Sequence, residues 1–259
     1  MYLRAAHADS NIPILRQFLK DNPLGMLITG LASSNFPTLQ CSHIPWILDI
    51  EDNSSETELG KLRGHMARQN PHSKALIEAV EANQGGNAGV EEEVLIMFNG
   101  PAHSYVTPKF YTETKPSTGK VVPTWNYSAV QVYGKARILH DRHNAETGSF
   151  LQSAIEDLSK QSEASMGHIN TSGPEKAWSV SDAPANYIDL LKKNIIGIEV
   201  EITRLDGKWK MSQELGAGDR QGTVEGFKAL ETEVGDEMAR TVEERGRMKD
   251  AAKAVVQQA

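Results

Sequence analysis

Four consecutive side chains that carry polar handles, Thr124, Trp125, Asn126 and Tyr127, follow Pro123 in the stretch KVVPTWNY at 120–127. Val121 and Val122 suit a strand, whereas Pro123 cannot donate a ladder hydrogen bond and belongs at an edge, an end or a bulge. Two readings are open. The aromatics cover a hairpin corner, or they line a pocket for a flat heteroaromatic ligand whose ring takes stacking and whose edge takes amide partners.

A second set lies in KLRGHMARQNP at 61–71. Arg63 and His65 share a strand face, with Gly64 removing bulk between them. Arg68 and Asn70 follow at the strand end, just before a helix opened by Pro71. A helix N-terminus beside arginines suits a phosphate, because unpaired N–H groups point outward and guanidinium chelates oxygens. The other reading is a solvated charged strand edge. In CSHIPWILD at 41–49, Ile44, Trp46 and Leu48 alternate with His43, Pro45 and Ile47. His43 therefore faces away from the tryptophan, as a hydrogen-bonded strand histidine or as a ligand contact. GKWKMSQ at 207–213 puts Lys208 and Lys210 on one face and Trp209 and Met211 on the other. Two lysines so placed face solvent unless an anion recruits them.

The elements that must position these residues read as follows. Ser10 or Asn11 caps a first helix carrying Ile14, Leu15, Phe18 and Leu19, ended by Asn22-Pro23. Strands are expected at 26–32, 39–49, 62–67, 94–98, 104–107 and 125–139. Helices are expected from Pro71, from a cap at Asp141, and from a cap at Ser181 or Asp182. The acidic stretch EDNSSETELG at 51–60 reads as a solvent loop and GGNAG at 85–89 as a flexible connection. Ile196, Ile198, Val200 and Ile202 alternate with Gly197, Glu199, Glu201 and Thr203, a half-buried strand. Asp206-Gly207 then signals a hairpin turn into KWKMS. After Gly222 the chain is helical and charged, with one weak apolar stripe from Val234 through Met238, Val242, Met248 and Ala252 to Val255. There is no internal repeat and no regular strand–helix alternation, so the pattern points to a mainly β protein with peripheral helices, α+β in class, built on a β-barrel.

The totals exclude several classes. The chain has 259 residues and one cysteine, Cys41, so neither an intrachain disulfide nor a clustered-cysteine zinc site is available. No apolar run approaches the roughly 20 residues of a membrane helix, and MYLRAAHADSN lacks the apolar core of a secretory signal. A cytoplasmic protein, with the nucleus as the other compartment, is the expectation. Thirty-four acidic residues against 27 Lys and Arg disfavour a nonspecific nucleic-acid coat. Paired-histidine zinc, Walker, G-x-S-x-G and dinucleotide motifs are missing. No residue presents itself as a catalytic acid, base or nucleophile.

Taken together, MYLRAAH, PLGMLIT, SHIPWILD, LRGHMARQNP, VLIMFNGPAHSYVTPKFY, GKVVPTWNY, WSVSDAPANYI and IIGIEVEITRLDGKWKMSQ resemble the PaiB family, from Met1 to about Gln213. That family is described as FMN-binding negative transcriptional regulators and is similar to the wider FMN-binding split barrels, which include pyridoxamine-phosphate oxidase and flavin reductases. The resemblance implies a split β-barrel over 1–215 with a helical C-terminal extension at 216–259, and a homodimer with FMN sites at its interface. It assigns Arg63, Gly64, His65, Arg68 and Asn70 to the phosphate end, with Lys210, Ser212 and Gln213 contributing from the C-terminal strand. Thr124, Trp125, Asn126 and Tyr127 flank the ring, with His43 nearby. DNA enters as a partner through the family description alone. A flavin-dependent oxidoreductase and a haem-binding barrel using His43, His65 and His103 stand as alternatives. The chain departs from the family at Glu214, where Lys-Leu-Ser-Gln is commonly followed by Asn.

Overall fold

The computed structural model describes residues 1–83, 89–168 and 176–258, with the backbone alone at 83 and 253–258. Most of the expected glycine connection at 85–89 and the side chain of Val255 thus lie outside the described residues. The chain forms two compact units: residues 12–98 with 131–205, and residues 1–11 with 99–130 and 206–259.

The larger unit is organised on an antiparallel sheet. Its strands are β2 (Leu24–Gly30), β3 (Leu39–Pro45), β4 (Ile47–Asp49), β5 (Lys61–Ala67) and β6 (Val94–Asn99), with the later part of β8 (Thr124–Leu139) and the earlier part of β9 (Ile195–Lys210). Their order is β3-β2-β6-β8-β9-β5-β4. The first and last strands of that order are consecutive in the chain, joined only through Trp46, so the sheet curls until its ends meet. The alternation expected across 39–49 breaks at this corner: Trp46 and Ile47 are both buried, and the single strand becomes two. The period-2 pattern of β9 holds, with Leu62, Gly64 and Met66 of β5 opposite Val200, Ile198 and Ile196.

Helices cover this sheet because each carries an apolar stripe. Helix α1 (Ile12–Asp21) buries Leu15, Phe18 and Leu19. Helix α2 (Pro71–Asn83) buries Leu76 and Val80, and α4 (Ala145–Ser165) buries Leu151 and Ala154. The cap of α4 is Asn144, whose Oδ1 accepts from Glu146 N at 2.8 Å. Asp141, the expected cap, instead accepts from His143 N in the turn before it. Likewise Asp182 closes a single 3₁₀ turn with Ser179, and α5 (Ala185–Lys192) starts after Pro184. The acidic stretch at 51–60 is exposed but ordered. The buried Arg16 guanidinium donates to the carbonyls of Glu58 at 3.0 Å and Ser55 at 2.7 Å, and the Glu58 carboxylate accepts from the N–H groups of Glu51 and Asp52.

In the smaller unit, β1 (Ala8–Asp9) pairs with the end of β9, and β7 (Ser104–Val106) with the beginning of β8. Asp206-Gly207 is not a turn: β9 runs through it, Gly207 lies opposite Asp9, and neither residue has positive φ. A primed turn needs positive φ at its central positions, and pairing with Asp9 of β1 holds Gly207 extended. Helices α3 (Thr114–Thr118), α6 (Ala217–Lys228) and α7 (Glu233–Gln258) complete the unit. Phe227 of α6 packs edge-on to Phe110, with Val224, Met238 and Val242 buried nearby in sequence on the two helices. A Cβ on Gly222 would lie 2.2 Å from Phe110 O, so only glycine lets α6 approach that backbone. The C-terminal helices therefore share a compact unit with residues 1–11 and 99–130 and are not set apart at 216.

Candidate functional site

The smaller unit brings together KVVPTWNY and KWKMSQ, about 85 residues apart in sequence. Lys210 Nζ donates to Thr124 Oγ1 and, at 2.7 Å, to Trp125 O. Asn126 and Ser212, both fully buried, bond through Nδ2 and Oγ at 2.9 Å. Gln213 accepts from Met211 N at 2.6 Å and donates to Trp209 O at 2.7 Å. These three polar side chains hold the strand ends in register, and their buried amides and hydroxyl are engaged by one another and by backbone. Ser212 sits at φ 60° in that network, a conformation uncommon outside glycine. Asn126, Ser212 and Gln213 thus tie together the framework on which the outward-facing groups stand.

The groups left facing outward are different. Trp125 is 56% exposed, with Tyr105 and His103 edge-on to its ring at centroid distances of 6.2 and 6.3 Å. Lys208 is buried, contrary to the expectation that it faces solvent. Its Nζ lies 5.2 Å from the centroid of the Tyr127 ring, and among the described residues it has neither a hydrogen bond nor a carboxylate partner. Burial, together with the nearby charges of Lys208 and Arg4, holds the Lys210 ammonium below the usual lysine range, against the pull of Glu214 and Tyr127. Glu214 is the counter-charge: one oxygen is 2.9 Å from His7 Nε2 and the other 4.0 Å from Lys210 Nζ. Burial raises the Glu214 carboxyl, but the His7 bond and the Lys210 charge outweigh it and leave the carboxyl below its ordinary value. Glu214 opposes Lys210, while Arg4 and Lys208 add like charge near that lysine, so positive charge is left beside exposed aromatic surface. That donor set fits a planar anionic ligand such as FMN. Sequence reasoning had the lysine alternation in hand but not the burial of Lys208; it gave Arg4, His7 and Tyr105 no role, and His103 only that of a haem ligand in an alternative reading.

His43, Arg63, Gly64, His65, Arg68 and Asn70 belong to the larger unit. His43 is exposed on β3 opposite Met26. Arg63 is fully engaged: both carboxylate oxygens of Asp49, Asp157 Oδ2 at 2.9 Å and Ser153 Oγ at 3.2 Å accept from it. The Asp49 carboxylate holds its guanidinium proton more tightly than usual. Gly64 makes room for the Trp46 ring, whose edge would lie 2.9 Å from a Cβ there, and not for a ligand. Asn70 caps α2, accepting from His72 N at 2.9 Å and donating to Ser42 Oγ at 3.2 Å, so the helix end expected to take a phosphate is closed by its own side chain. His65 is half-buried, its Nδ1 is enclosed without a partner, and burial lowers its pKa. Arg68 donates from Nη2 to His140 O, while its Nε is buried with no acceptor. Of this group, His65 and Arg68 alone retain an enclosed, unmatched ring or guanidinium nitrogen. Among the described residues no three His, Cys, Asp or Glu side chains gather as a metal site, and no helix is long and apolar enough to cross a membrane.

The family described as “Putative FMN-binding domain” matches residues 1–204. An uncharacterised protein of Aspergillus fumigatus is 57% identical over 260 residues, which cover 96% of this chain and 99% of that protein. The protease synthase and sporulation protein PAI 2 of Bacillus subtilis is 24% identical over 245 residues, 95% of this chain and 98% of that one. Among solved structures, a pyridoxamine 5'-phosphate oxidase-related, FMN-binding protein of Nostoc punctiforme aligns with a TM-score of 0.37 at 10% identity, covering 80% of this chain and 86% of that one.

Proposed function

The chain belongs to this FMN-binding domain family, and from that premise we propose that it is a PaiB-type FMN protein whose working part is its ligand site and not a DNA-binding face. The observation that carries the reading is Lys208, a largely buried residue whose Nζ lies over the Tyr127 ring with no carboxylate of its own among the described residues, on the strand that carries Lys210 beside the exposed Trp125. Lys208 and Lys210 would supply charge for the anionic part of FMN, and Trp125, Tyr105 and His103 apolar surface for its ring. Bound flavin would supply the redox chemistry, since no acid, base or nucleophile is arranged for catalysis among these groups. The protein acts as a homodimer in this reading, in the cytoplasm or nucleus.

The test is a titration that follows tryptophan or flavin fluorescence, run beside a duplex DNA titration on the same sample. FMN is expected to bind saturably. Generic DNA is expected to bind no better than about 10⁻⁴–10⁻⁶ M at physiological salt, the range of nonspecific contact. Tight DNA binding that survives raised salt, without flavin uptake, would make transcriptional regulation the working mechanism instead. A monomer by light scattering would remove the homodimer.

Glu214 offers a second expected result. Glu214→Asn restores the amide common in the PaiB pattern and removes the one carboxylate opposing the lysines. FMN affinity should rise about fivefold, equivalent to about 1 kcal/mol for a half-buried charge pair. Because the carboxyl is depressed in the folded state, its stabilisation is present above its unfolded value and is lost as pH falls through the folded one. The variant should therefore be less stable than wild type at neutral pH and lose less on acidification, as urea melts would read. Unchanged FMN affinity would place the carboxylate outside the ligand field.

A further inference from the structure

Val121, Val122 and Pro123 suit the approach to a strand, yet β8 begins only at Thr124. Val122 is 74% exposed and Val121 half-exposed, although both are apolar and β-branched. They end a longer excursion of the smaller unit, residues 115–123, which is exposed everywhere except at Val121. Among the described residues, the hydrogen bonds of 115–122 all close within 113–121, so none ties this stretch to another element. Gly119, at φ 65° with open space where a Cβ would sit, ends α3 and lets the backbone turn there.

Both ends of the excursion are fixed. At the first, the buried Asp219 carboxylate of α6 accepts from Glu113 N at 2.8 Å and from Thr114 N at 3.1 Å. Glu113 Oε2 accepts in return from Gly218 N at 3.1 Å, and Thr112 Oγ1 donates to Gly218 O at 3.0 Å. A Cβ on Gly226 would lie 2.2 Å from the Phe110 ring, so the chain just before is packed hard on the same helix. At the second end, Lys210 Nζ donates to Thr124 Oγ1 and to Trp125 O. A span with no bond to its surroundings between two fixed points moves at little free-energy cost. An ordinary surface loop accounts for the polar residues Lys115 to Lys120. It gives no reason for an uncovered Val-Val-Pro run beside the exposed rings of Trp125 and Tyr105.

We infer that residues 115–123 are a strap that closes on the ligand held against Trp125, with Val121 and Val122 covering it and Lys210 as the catch. This rests on the FMN site proposed for the same unit. Two donors of the Lys210 ammonium are spent on Thr124 and Trp125. An anionic group that draws the ammonium away loosens the far end of the strap, and closure then removes the valines from water.

The experiment digests the full chain with trypsin, with and without saturating FMN. It also follows FMN release by stopped-flow fluorescence in wild type and in a Val121→Ser/Val122→Ser variant. Neither valine belongs to the core, so the variant folds. Trypsin should cut the free protein after Lys120, and FMN should slow that cut about tenfold by depleting the open strap. The cut after Lys228, in the exposed turn between α6 and α7, should be unchanged. The variant should release FMN about tenfold faster at an unchanged association rate, the order expected for losing the burial of one valine. Saturable FMN binding without protection of Lys120, equal protection at Lys228, or unchanged release from the variant overturns the strap and leaves the FMN reading standing. Absence of saturable FMN binding overturns that reading and the strap with it.

Discussion

Replacing Lys208 with methionine is expected to weaken FMN binding more than tenfold while costing the ligand-free protein no more than about 1 kcal/mol of stability. A hydrogen bond or close contact to a charged ligand group contributes about 1.5–3 kcal/mol, which sets the first figure. The second follows from the absence of a carboxylate partner: the variant loses a cation–π contact with Tyr127, about 1 kcal/mol. Methionine keeps the length and the apolar stem, so packing around Tyr127 changes little. The two readouts together separate the roles. A lysine serving the fold alone would give a large drop in melting temperature and unchanged FMN affinity, the reverse of the expected pattern.

Acidification from about pH 7 to about pH 5 should cost the wild type roughly 2 kcal/mol more than a His72→Gln variant. His72 follows the first residue of α2 and is 1% exposed, its ring nitrogens 2.9 Å from Thr29 Oγ1 and 3.0 Å from Ser42 Oγ. Burial lowers its pKa to about 4. The folded protein thus holds a neutral ring while the unfolded chain takes a proton near its ordinary value of 6.5. The unfolded state binds more protons between those values, so stability rises with pH across that window and is lost as pH falls through it. Glutamine retains a donor and an acceptor without the titration. Urea melts of both proteins at the two pH values measure the difference; parallel losses would mean that other carboxylates, and not His72, set the acid limb.

The pH effect belongs to a pair of hydroxyls that no local pattern announces. Thr29, Ser42 and His72 come from β2, β3 and α2, and only the curled sheet brings them into one buried cluster. The same holds for the ligand site. KVVPTWNY and KWKMSQ were each legible as unusual wording for a strand, and the order of eight motifs along the chain was enough to identify the family. Which of their side chains face a ligand was not legible. Asn126 and Ser212 read as polar contacts but bond one another, Gln213 bonds the backbone, and Lys208 read as solvent-facing but is a largely buried residue stacked on Tyr127.

By itself the sequence determined the strand and helix pattern of an α+β protein, because the two-residue period of Ile196 to Ile202 and the apolar stripes of α1 and α4 are local consequences of burying one face. It also determined the absence of an intrachain disulfide, from its single cysteine, and the family. Only the tertiary structure decided that Asp206-Gly207 stays extended, since its partner Asp9 lies about 200 residues away and long-range pairing outweighs a turn preference. Only the tertiary structure decided that Arg63 is neutralised by Asp49 and Asp157 while Arg68 keeps an unmatched N–H. Two arginines five residues apart are equivalent as sequence; a guanidinium becomes a structural clamp or keeps an unmatched N–H according to the acceptors that folding places around it.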